Sequence, residues 1–317
     1  MLGNCLAVTC FICACLASDQ LTRLTEEQQN QIKNGCGLRR AYETSATKIL
    51  HGDVAKPGQF PWVVQITYGG QHHCGGALIS KRHILTAAHC VFESDNVCTK
   101  ESQLAPFGMS AHLGDIRSGF GVPIDIQKIV VPAQWTSDPE HCVKNGGDLA
   151  LLELYHEVPQ EYFDSGKVNF VCLPDEKERF SEAVTMESAG WGFTAETGAQ
   201  NTLLFTKLKP MPRQECLKRR KNELAADTIC TYEKKSNVCH GDSGSPLLLK
   251  NERGRRKVIG VVSNGTPCSD MKKNEDLHKT ATYDGGAYTD VRLHLKWICN
   301  HIALCPQPNP QPDYYNY

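Results

Sequence analysis

The feature that most limits the fold of this chain is a series of short apolar runs separated by Gly, Pro, Asp and Asn. They begin near residue 49 and include FPWVVQITY, GALIS, HILTAA and DLALLEL, and later AVTMESAGWG, PLLL, KVIGVVS and GAYTDV. Runs of this length with turn residues between them are typical of strands in β-barrels and β-sandwiches. A helical period occurs only in VRLHLKWICNHIAL, near the end. The sequence therefore predicts an all-β fold with a C-terminal helix.

The first 17 residues, MLGNCLAVTCFICACLA, are apolar and end in small residues, which is typical of a secretory signal peptide. No Lys or Arg precedes the apolar part, so a buried N-terminal helix or a membrane anchor is the alternative. The run is too short to span a bilayer comfortably. We interpret residues 1–17 as a signal peptide and expect a secreted, extracellular protein without a membrane partner.

The cysteine content supports this compartment. The chain has 16 cysteines, and removing residues 1–17 leaves twelve, an even number. In an oxidising compartment, that number indicates up to six disulfides. The net charge of -1 gives no argument for a nucleic-acid partner.

The regions outside the apolar runs have distinct compositions. Residues 18–48 are polar and contain Cys36, which indicates a pro-segment before a folded domain at residues 49–305. The Pro-rich residues 306–317 are predicted to be disordered. Two basic runs, KRRK and NERGRRK, are typical of solvated loops, with an anion-binding surface as the alternative.

Three motifs together point to nucleophilic catalysis. TAAHC contains His89, NGGDLALLEL contains Asp148, and GDSGSP contains Ser243. Each motif alone has a simple structural interpretation, such as a turn. A serine hydroxyl needs a neighbouring base to act as a nucleophile, and an aspartate can orient that base. The joint occurrence of the three in this order predicts a Ser-His-Asp triad.

From Ile49 to about Ala303, the chain resembles the chymotrypsin-like family of secreted serine peptidases. The resemblance rests on CGGALIS, LTAAHC, DLALLEL, VCLP, GWG, CHGDSGSP, VVSNG and GAYTDV. It implies two packed six-stranded antiparallel β-barrels, with the triad His89, Asp148 and Ser243 in the cleft between them. It implies an endopeptidase without metal or cofactor, whose oxyanion hole is formed by the backbone N–H groups of Gly241 and Ser243. Its partners would be protein or peptide substrates and protein inhibitors.

The resemblance also implies a zymogen. Cleavage between Lys48 and Ile49 would free an amine that enters the protein and pairs with Asp242. The pocket floor would be Asn237, with Ser263, Gly265 and Gly286 around it. A neutral floor and open walls favour a large neutral substrate residue over Lys or Arg, whose charge would be buried without a partner. A different, trypsin-like peptidase is therefore expected to activate the precursor.

The resemblance implies four disulfides, of which one tethers the His89 loop, one ties the nucleophile loop to the pocket wall, and one keeps the pro-segment attached after cleavage. The pairs are Cys74–Cys90, Cys216–Cys230, Cys239–Cys268 and Cys36–Cys172. One bridge usual in the second barrel is absent, with Met186 and Leu249 at its positions. The pairing of Cys98, Cys142, Cys299 and Cys305 stays open, with Cys98–Cys142 and Cys299–Cys305 as one arrangement.

The sequence departs from the family pattern at three positions. Ser245 replaces a glycine after the nucleophile, Asn264 replaces an aromatic residue beside the pocket, and His51 replaces a glycine after the cleavage site. Asn264 also begins a glycosylation sequon. These departures keep an alternative open, in which the chain is a catalytically inactive homologue that acts as a binding module.

Overall fold

The computed structural model describes residues 20–39, 48–49, 52–94, 97–192, 200–220, 224–232, 238–265 and 285–306. The strands are β1 Lys48–Ile49, β2 Gly52–Val54, β3 Val63–Tyr68, β4 Gln71–Leu78, β5 His83–Thr86, β6 Met109–Leu113, β7 Val122–Val130, β8 Ala150–Leu154, β9 Met186–Gly190, β10 Leu204–Met211, β11 Thr228–Tyr232, β12 Pro246–Lys250, β13 Arg256–Asn264 and β14 Gly286–Asp290. The α-helices are α1 Glu26–Gly35, α2 Cys142–Asn145, α3 Gln160–Asp164, α4 Arg213–Arg219 and α5 Leu295–Ile302.

Strands β3 to β8 form the first barrel. They pair in the order β3-β4-β5-β8-β7-β6, and β6 returns to β3 to close the cylinder. The alternation along β6 shows why the strand lies on a barrel wall. Met109, Ala111 and Leu113 are buried, while Ser110 and His112 between them are only partly so. A period of two places one face of the strand in the core.

Strands β9 to β14 form the second barrel. They pair in the order β10-β11-β14-β13-β12-β9, and β9 also pairs with β10. The hairpin β1–β2 adds to the outer edge of β10, because Val54 of β2 pairs with Leu204. The expectation of two six-stranded antiparallel barrels is confirmed.

The C-terminal helix is also confirmed, with one difference in its start. A 3₁₀ turn over Val291–His294 precedes α5, and the Asp290 side chain accepts a hydrogen bond from the Arg292 N–H at its beginning. Leu295, Ile298 and Ile302 are buried on one face of α5. This stripe attaches the helix to the core. None of the helices among the described residues has the length and apolar character needed to cross a bilayer.

The N-terminal segment, residues 20–39, is more ordered than its polar composition suggests. Thr25 and Gln28 form a reciprocal capping box at the start of α1, and this T-x-x-Q spacing is a sequence signal that composition alone overlooks. Leu21, Leu24 and Ile32 are buried. Because this segment contributes apolar side chains to the core, it is part of the folded structure.

Polar contacts fix the same segment to distant parts of the chain. The N–H and hydroxyl of Thr22 donate to the two carboxylate oxygens of the buried Glu153, at 2.7 and 2.8 Å. The Leu24 N–H donates to the carbonyl of Ile302, at the end of α5. The Arg255 guanidinium donates to two carbonyls at the end of α1. The segment thus contacts the first barrel, the second barrel and the C-terminal helix.

The basic run at residues 251–257 is used mainly inside the molecule. Besides the Arg255 contacts, Arg256 pairs with Glu187 at 3.2 Å, and Lys257 pairs with Asp175 and Glu178. These ion pairs neutralise charges that an anion-binding surface would need. The structure therefore gives no support to that interpretation of NERGRRK.

Five disulfides have both ends among the described residues. They are Cys36–Cys172, Cys74–Cys90, Cys98–Cys142, Cys216–Cys230 and Cys299–Cys305. Cys239 is also disulfide-bonded, whereas its expected partner Cys268 lies outside the described residues. At the position of the missing bridge, Leu249 pairs in register with Met186, and both are buried. Two apolar side chains therefore fill the space that a disulfide would occupy.

Candidate active site

His89 and Asp148 meet at the edge of the first barrel. His89 starts a 3₁₀ turn three residues after β5, and Asp148 lies two residues before β8, which pairs with β5. The Asp148 carboxylate accepts from His89 Nδ1–H at 2.8 Å and from the His89 backbone N–H at 2.9 Å. A second-barrel residue completes the group, because the Ser263 hydroxyl donates to Asp148 Oδ2 at 2.6 Å.

The surroundings of Asp148 keep its carboxylate ionised. Burial alone would raise the pKa of Asp148, but the electrostatic attraction to His89 and the hydrogen bonds from His89 and Ser263 outweigh burial and hold the pKa below its ordinary value. An ionised Asp148 fixes the imidazole with Nδ1 protonated, which leaves Nε2 as the basic atom.

Ser243 lies in a tight turn before β12, and its loop packs against β4 and β5, the two strands that precede His89. The Gly75 N–H of β4 donates to the Ser243 carbonyl at 2.7 Å. A Cβ atom at Gly244 would lie 2.1 Å from Thr86 Oγ1, so only glycine fits there. The second-barrel serine loop and the end of β5 are therefore in direct contact.

The backbone around Ser243 suits an oxyanion site. Gly241 has a φ of 91°, which a residue with a side chain rarely adopts. The N–H groups of Asp242, Gly244 and Ser245 donate to main-chain carbonyls. Those of Gly241 and Ser243 have no hydrogen-bond acceptor among the described residues, so they remain available for a ligand oxygen.

The half-buried Asp242 side chain faces the GWG motif. Its carboxylate accepts from the backbone N–H groups of Gly192 and Cys239, both at 2.8 Å. A Cβ at Gly190 or Gly192 would lie 2.2 or 2.4 Å from this carboxyl group, so the GWG motif provides the room for it. Burial raises the pKa of Asp242 to about 6, and no cation among the described residues forms an ion pair with it.

This raised pKa predicts how the stability of the uncleaved precursor depends on pH. Because the folded-state pKa lies above the ordinary value, the folding stability that protonated Asp242 contributes is complete below pH 3.8 and is lost as the pH rises through 6. Relative to Asp242→Asn, the precursor should lose about 3 kcal/mol between these limits. Urea unfolding of both proteins at pH 4 and pH 7.5 measures the change. An equal stability difference at both pH values would contradict the prediction.

The expected specificity pocket is described only in part. Ser263 and Asn264 end β13, Gly286 starts β14, and Asn264 pairs in register with Ala287. Asn237, the expected floor, lies outside the described residues, as do His51 and the side chain of Ile49. The Asn264 side-chain oxygen accepts a hydrogen bond from Arg220 at 2.6 Å. Arg220, which sequence reasoning placed only in a basic loop, therefore contributes to the rim of the cleft.

Ser245 fits beside a glycine of the first barrel. It is fully buried, and its hydroxyl has no hydrogen-bond partner among the described residues. A Cβ at Gly75 would lie 2.1 Å from Ser245 Oγ, so the glycine on β4 provides the space for the added side chain. Replacing glycine with Ser245 therefore costs about 1–3 kcal/mol of folding stability, because a buried hydroxyl is left without a hydrogen-bond partner.

Comparison with known families agrees with this geometry. The family model described as Trypsin matches residues 49–298. The chain belongs to the trypsin family. The match to the family model begins at Ile49 and includes His89, Asp148 and Ser243.

Two curated relatives are longer than this trypsin-family chain. It is 28% identical to ovochymase-2 of Mus musculus over 286 residues, which cover 84% of this chain and 44% of the relative. It is 32% identical to coagulation factor XII of Bos taurus over 285 residues, which cover 85% of this chain and 42% of the relative. The chain therefore spans less than half the length of these relatives.

Proposed function

We propose that this chain is the precursor of a secreted serine endopeptidase that hydrolyses peptide bonds with Ser243, His89 and Asp148. The observation that carries the proposal is the hydrogen-bonded group of His89, Asp148 and Ser263 beside the Ser243 loop. Disulfides on both barrels are consistent with an oxidising, extracellular compartment.

The reaction follows from these groups. His89 Nε2 accepts the Ser243 proton as the serine oxygen attacks the substrate carbonyl carbon, and Asp148 stabilises the resulting imidazolium. The N–H groups of Gly241 and Ser243 donate to the oxyanion, and each such donor typically contributes about 3 kcal/mol to barrier reduction. His89 then protonates the leaving amine, and water releases the acyl group by the reverse sequence.

Activation is proposed to occur at Lys48–Ile49. In the uncleaved chain, these two residues form β1, which pairs with β2 at the sheet edge. Desolvation raises the pKa of the Asp242 carboxylate, and an ammonium placed beside it would stabilise its ionised form. Cleavage would free the Ile49 amine to enter this space and fix the oxyanion loop.

The proposed substrate preference is a large neutral residue before the scissile bond, Phe, Tyr, Leu or Met. Asn237 supplies no buried negative charge for Lys or Arg, and glycines at 265 and 286 leave the walls open. Because Lys48 does not suit such a pocket, activation is assigned to a separate trypsin-like peptidase. Protein substrates and protein inhibitors are the proposed partners.

The test uses the precursor cleaved after Lys48 and peptides that differ only in the residue before the scissile bond. We expect turnover of Phe, Tyr, Leu and Met peptides, with Ser243→Ala as the blank, and little turnover of Arg peptides. Fastest turnover after Arg would overturn the preference. No turnover, together with no labelling of Ser243 by an organophosphate, would contradict the proposed peptidase activity and favour a binding module.

Self-activation is tested separately. Purified precursor and its Ser243→Ala variant should both remain uncleaved at Lys48 until a trypsin-like peptidase is added. Rapid conversion of the wild-type precursor alone, abolished by Ser243→Ala, would show that the enzyme activates itself.

A further inference from the structure

A second buried His–Asp pair, Asp227 and His294, lies next to the turn that contains Asp148. Asp227 immediately precedes β11, and His294 ends the 3₁₀ turn after β14. His294 Nε2–H donates to Asp227 Oδ2 at 2.7 Å, and the two residues are only 7% and 5% exposed. The Asp290 N–H also donates to the Asp227 carbonyl at 2.7 Å. Asp227 is therefore fixed within the second barrel through both its side chain and its backbone.

The same carboxylate oxygen holds the backbone next to Asp148. The Gly147 N–H, on the first barrel, donates to Asp227 Oδ2 at 2.7 Å. The Gly147 carbonyl accepts from the Leu149 N–H at 2.6 Å, so Asp148 is the central residue of a tight turn. One end of the turn is thus bonded directly to Asp227.

The glycines before Asp148 make this approach feasible. Gly146 and Gly147 have φ values of 75° and 71°. A Cβ atom at Gly146 would lie 2.4 Å from Asp227 Oδ1. Because the two glycines adopt left-handed backbone geometry, the chain passes close to the carboxylate without a clash.

The position of this contact matters because the triad is divided between the barrels. His89 and Asp148 belong to the first barrel, and Ser243 to the second. Two ties cross from the second barrel to the Asp148 turn, one from Ser263 to the side chain and one from Asp227 to the backbone. A shift of one barrel against the other would change the geometry between His89 and Ser243.

We propose that Asp227 and His294 are positioning residues that hold the Asp148 turn of the first barrel in register with the second. His294 fixes the Asp227 carboxylate, and Asp227 fixes the Gly147 N–H. The inference rests on the proposed function for its kinetic consequence, whereas its effect on the geometry of His89 and Asp148 can be measured without turnover.

The test compares His294→Phe and Asp227→Asn in the chain cleaved after Lys48. His294→Phe keeps an aromatic ring but removes the donor, so the Asp227 carboxylate loses its fixed orientation. Small displacements of catalytic groups can cost about 100-fold in rate, so we expect kcat per titrated active site to fall 10- to 100-fold with KM within about twofold. Asp227→Asn keeps an oxygen that can accept both bonds, so its loss should be smaller.

The matched control is Glu187→Gln, which disrupts the largely buried pair with Arg256 on the second barrel, outside the triad region. It should lower Tm without lowering kcat. Proton NMR of the His89 Nδ1–H gives the independent readout, and its resonance should shift in His294→Phe but not in Glu187→Gln.

The outcomes separate the two proposals. If the cleaved wild-type chain turns over peptides and His294→Phe and Asp227→Asn retain its kcat and its Nδ1–H resonance, the positioning role is wrong. An equal kcat loss in Glu187→Gln would also overturn it, because the effect would then be a general one. If the wild-type chain has no turnover, the proposed function fails, and the Nδ1–H resonance alone decides the positioning role.

Discussion

Asp148→Asn is expected to lower kcat by about 10⁴-fold while leaving KM nearly unchanged. The Asp148 carboxylate accepts three hydrogen bonds, from His89 N–H, His89 Nδ1–H and Ser263 Oγ–H. An asparagine can accept through its oxygen but presents an NH₂ group on the other side. If that group faces the ring, His89 must accept at Nδ1 and carry its proton on Nε2, so it cannot take the proton of Ser243.

The measurement is steady-state kinetics on the Lys48-cleaved variant, normalised to correctly folded protein. Ser263→Ala is the matched control, because it removes one of the three hydrogen bonds and leaves the imidazole tautomer intact. We expect it to lose far less activity than Asp148→Asn. If both variants retained more than a tenth of the wild-type kcat, the triad assignment would be wrong.

Asp242→Asn should be cleaved normally after Lys48 and yet remain about 10²- to 10³-fold less active than the wild type. In the proposed activated state, the Ile49 ammonium is buried against the Asp242 carboxylate. Removing one partner of a buried ion pair typically costs about 3–5 kcal/mol, because the other charge is left unpaired. The oxyanion loop would then stay in its uncleaved arrangement.

Two further observations test the same ion pair. Activity of the wild-type enzyme should fall at alkaline pH as the Ile49 amine loses its proton and its positive charge. The ordinary pKa of an α-amine is about 8, and the nearby Asp242 carboxylate raises it, so the fall should occur above pH 8. Ile49→Gly, cleaved after Lys48, should also be impaired, because the new terminus lacks the apolar side chain that accompanies the amine into the protein. Full activity of either Ile49→Gly or Asp242→Asn would contradict the activation mechanism.

The sequence predicts the barrels because their strands carry local signals. Short apolar runs with turn residues between them fix the strand class, and the motifs around His89, Asp148 and Ser243 carry the family resemblance. The structure adds how these parts meet, for example the Gly75 N–H on the Ser243 carbonyl. Such a contact joins distant parts of the chain, so no local pattern reports it.

The positions that sequence reasoning missed are of two kinds. The helix α1 had a local signal, the capping box from Thr25 to Gln28, which the polar composition obscured. The pair of Asp227 and His294 had none, because the residues are 67 positions apart and each is ordinary in its own surroundings. Only the fold brings them together beside Gly147.

The position of the N-terminal segment has a consequence for the order in which the molecule can be completed. Residues 20–39 are synthesised before both barrels, so their partners are made later, and one of these partners, Ile302, ends α5. Cys36 likewise waits for Cys172, which lies 136 residues further along the chain. Since domains tend to form from the N-terminus during synthesis, this segment is an exception. It can dock fully only after both barrels and helix α5 have been synthesised, so docking of residues 20–39 belongs to the late stage of folding.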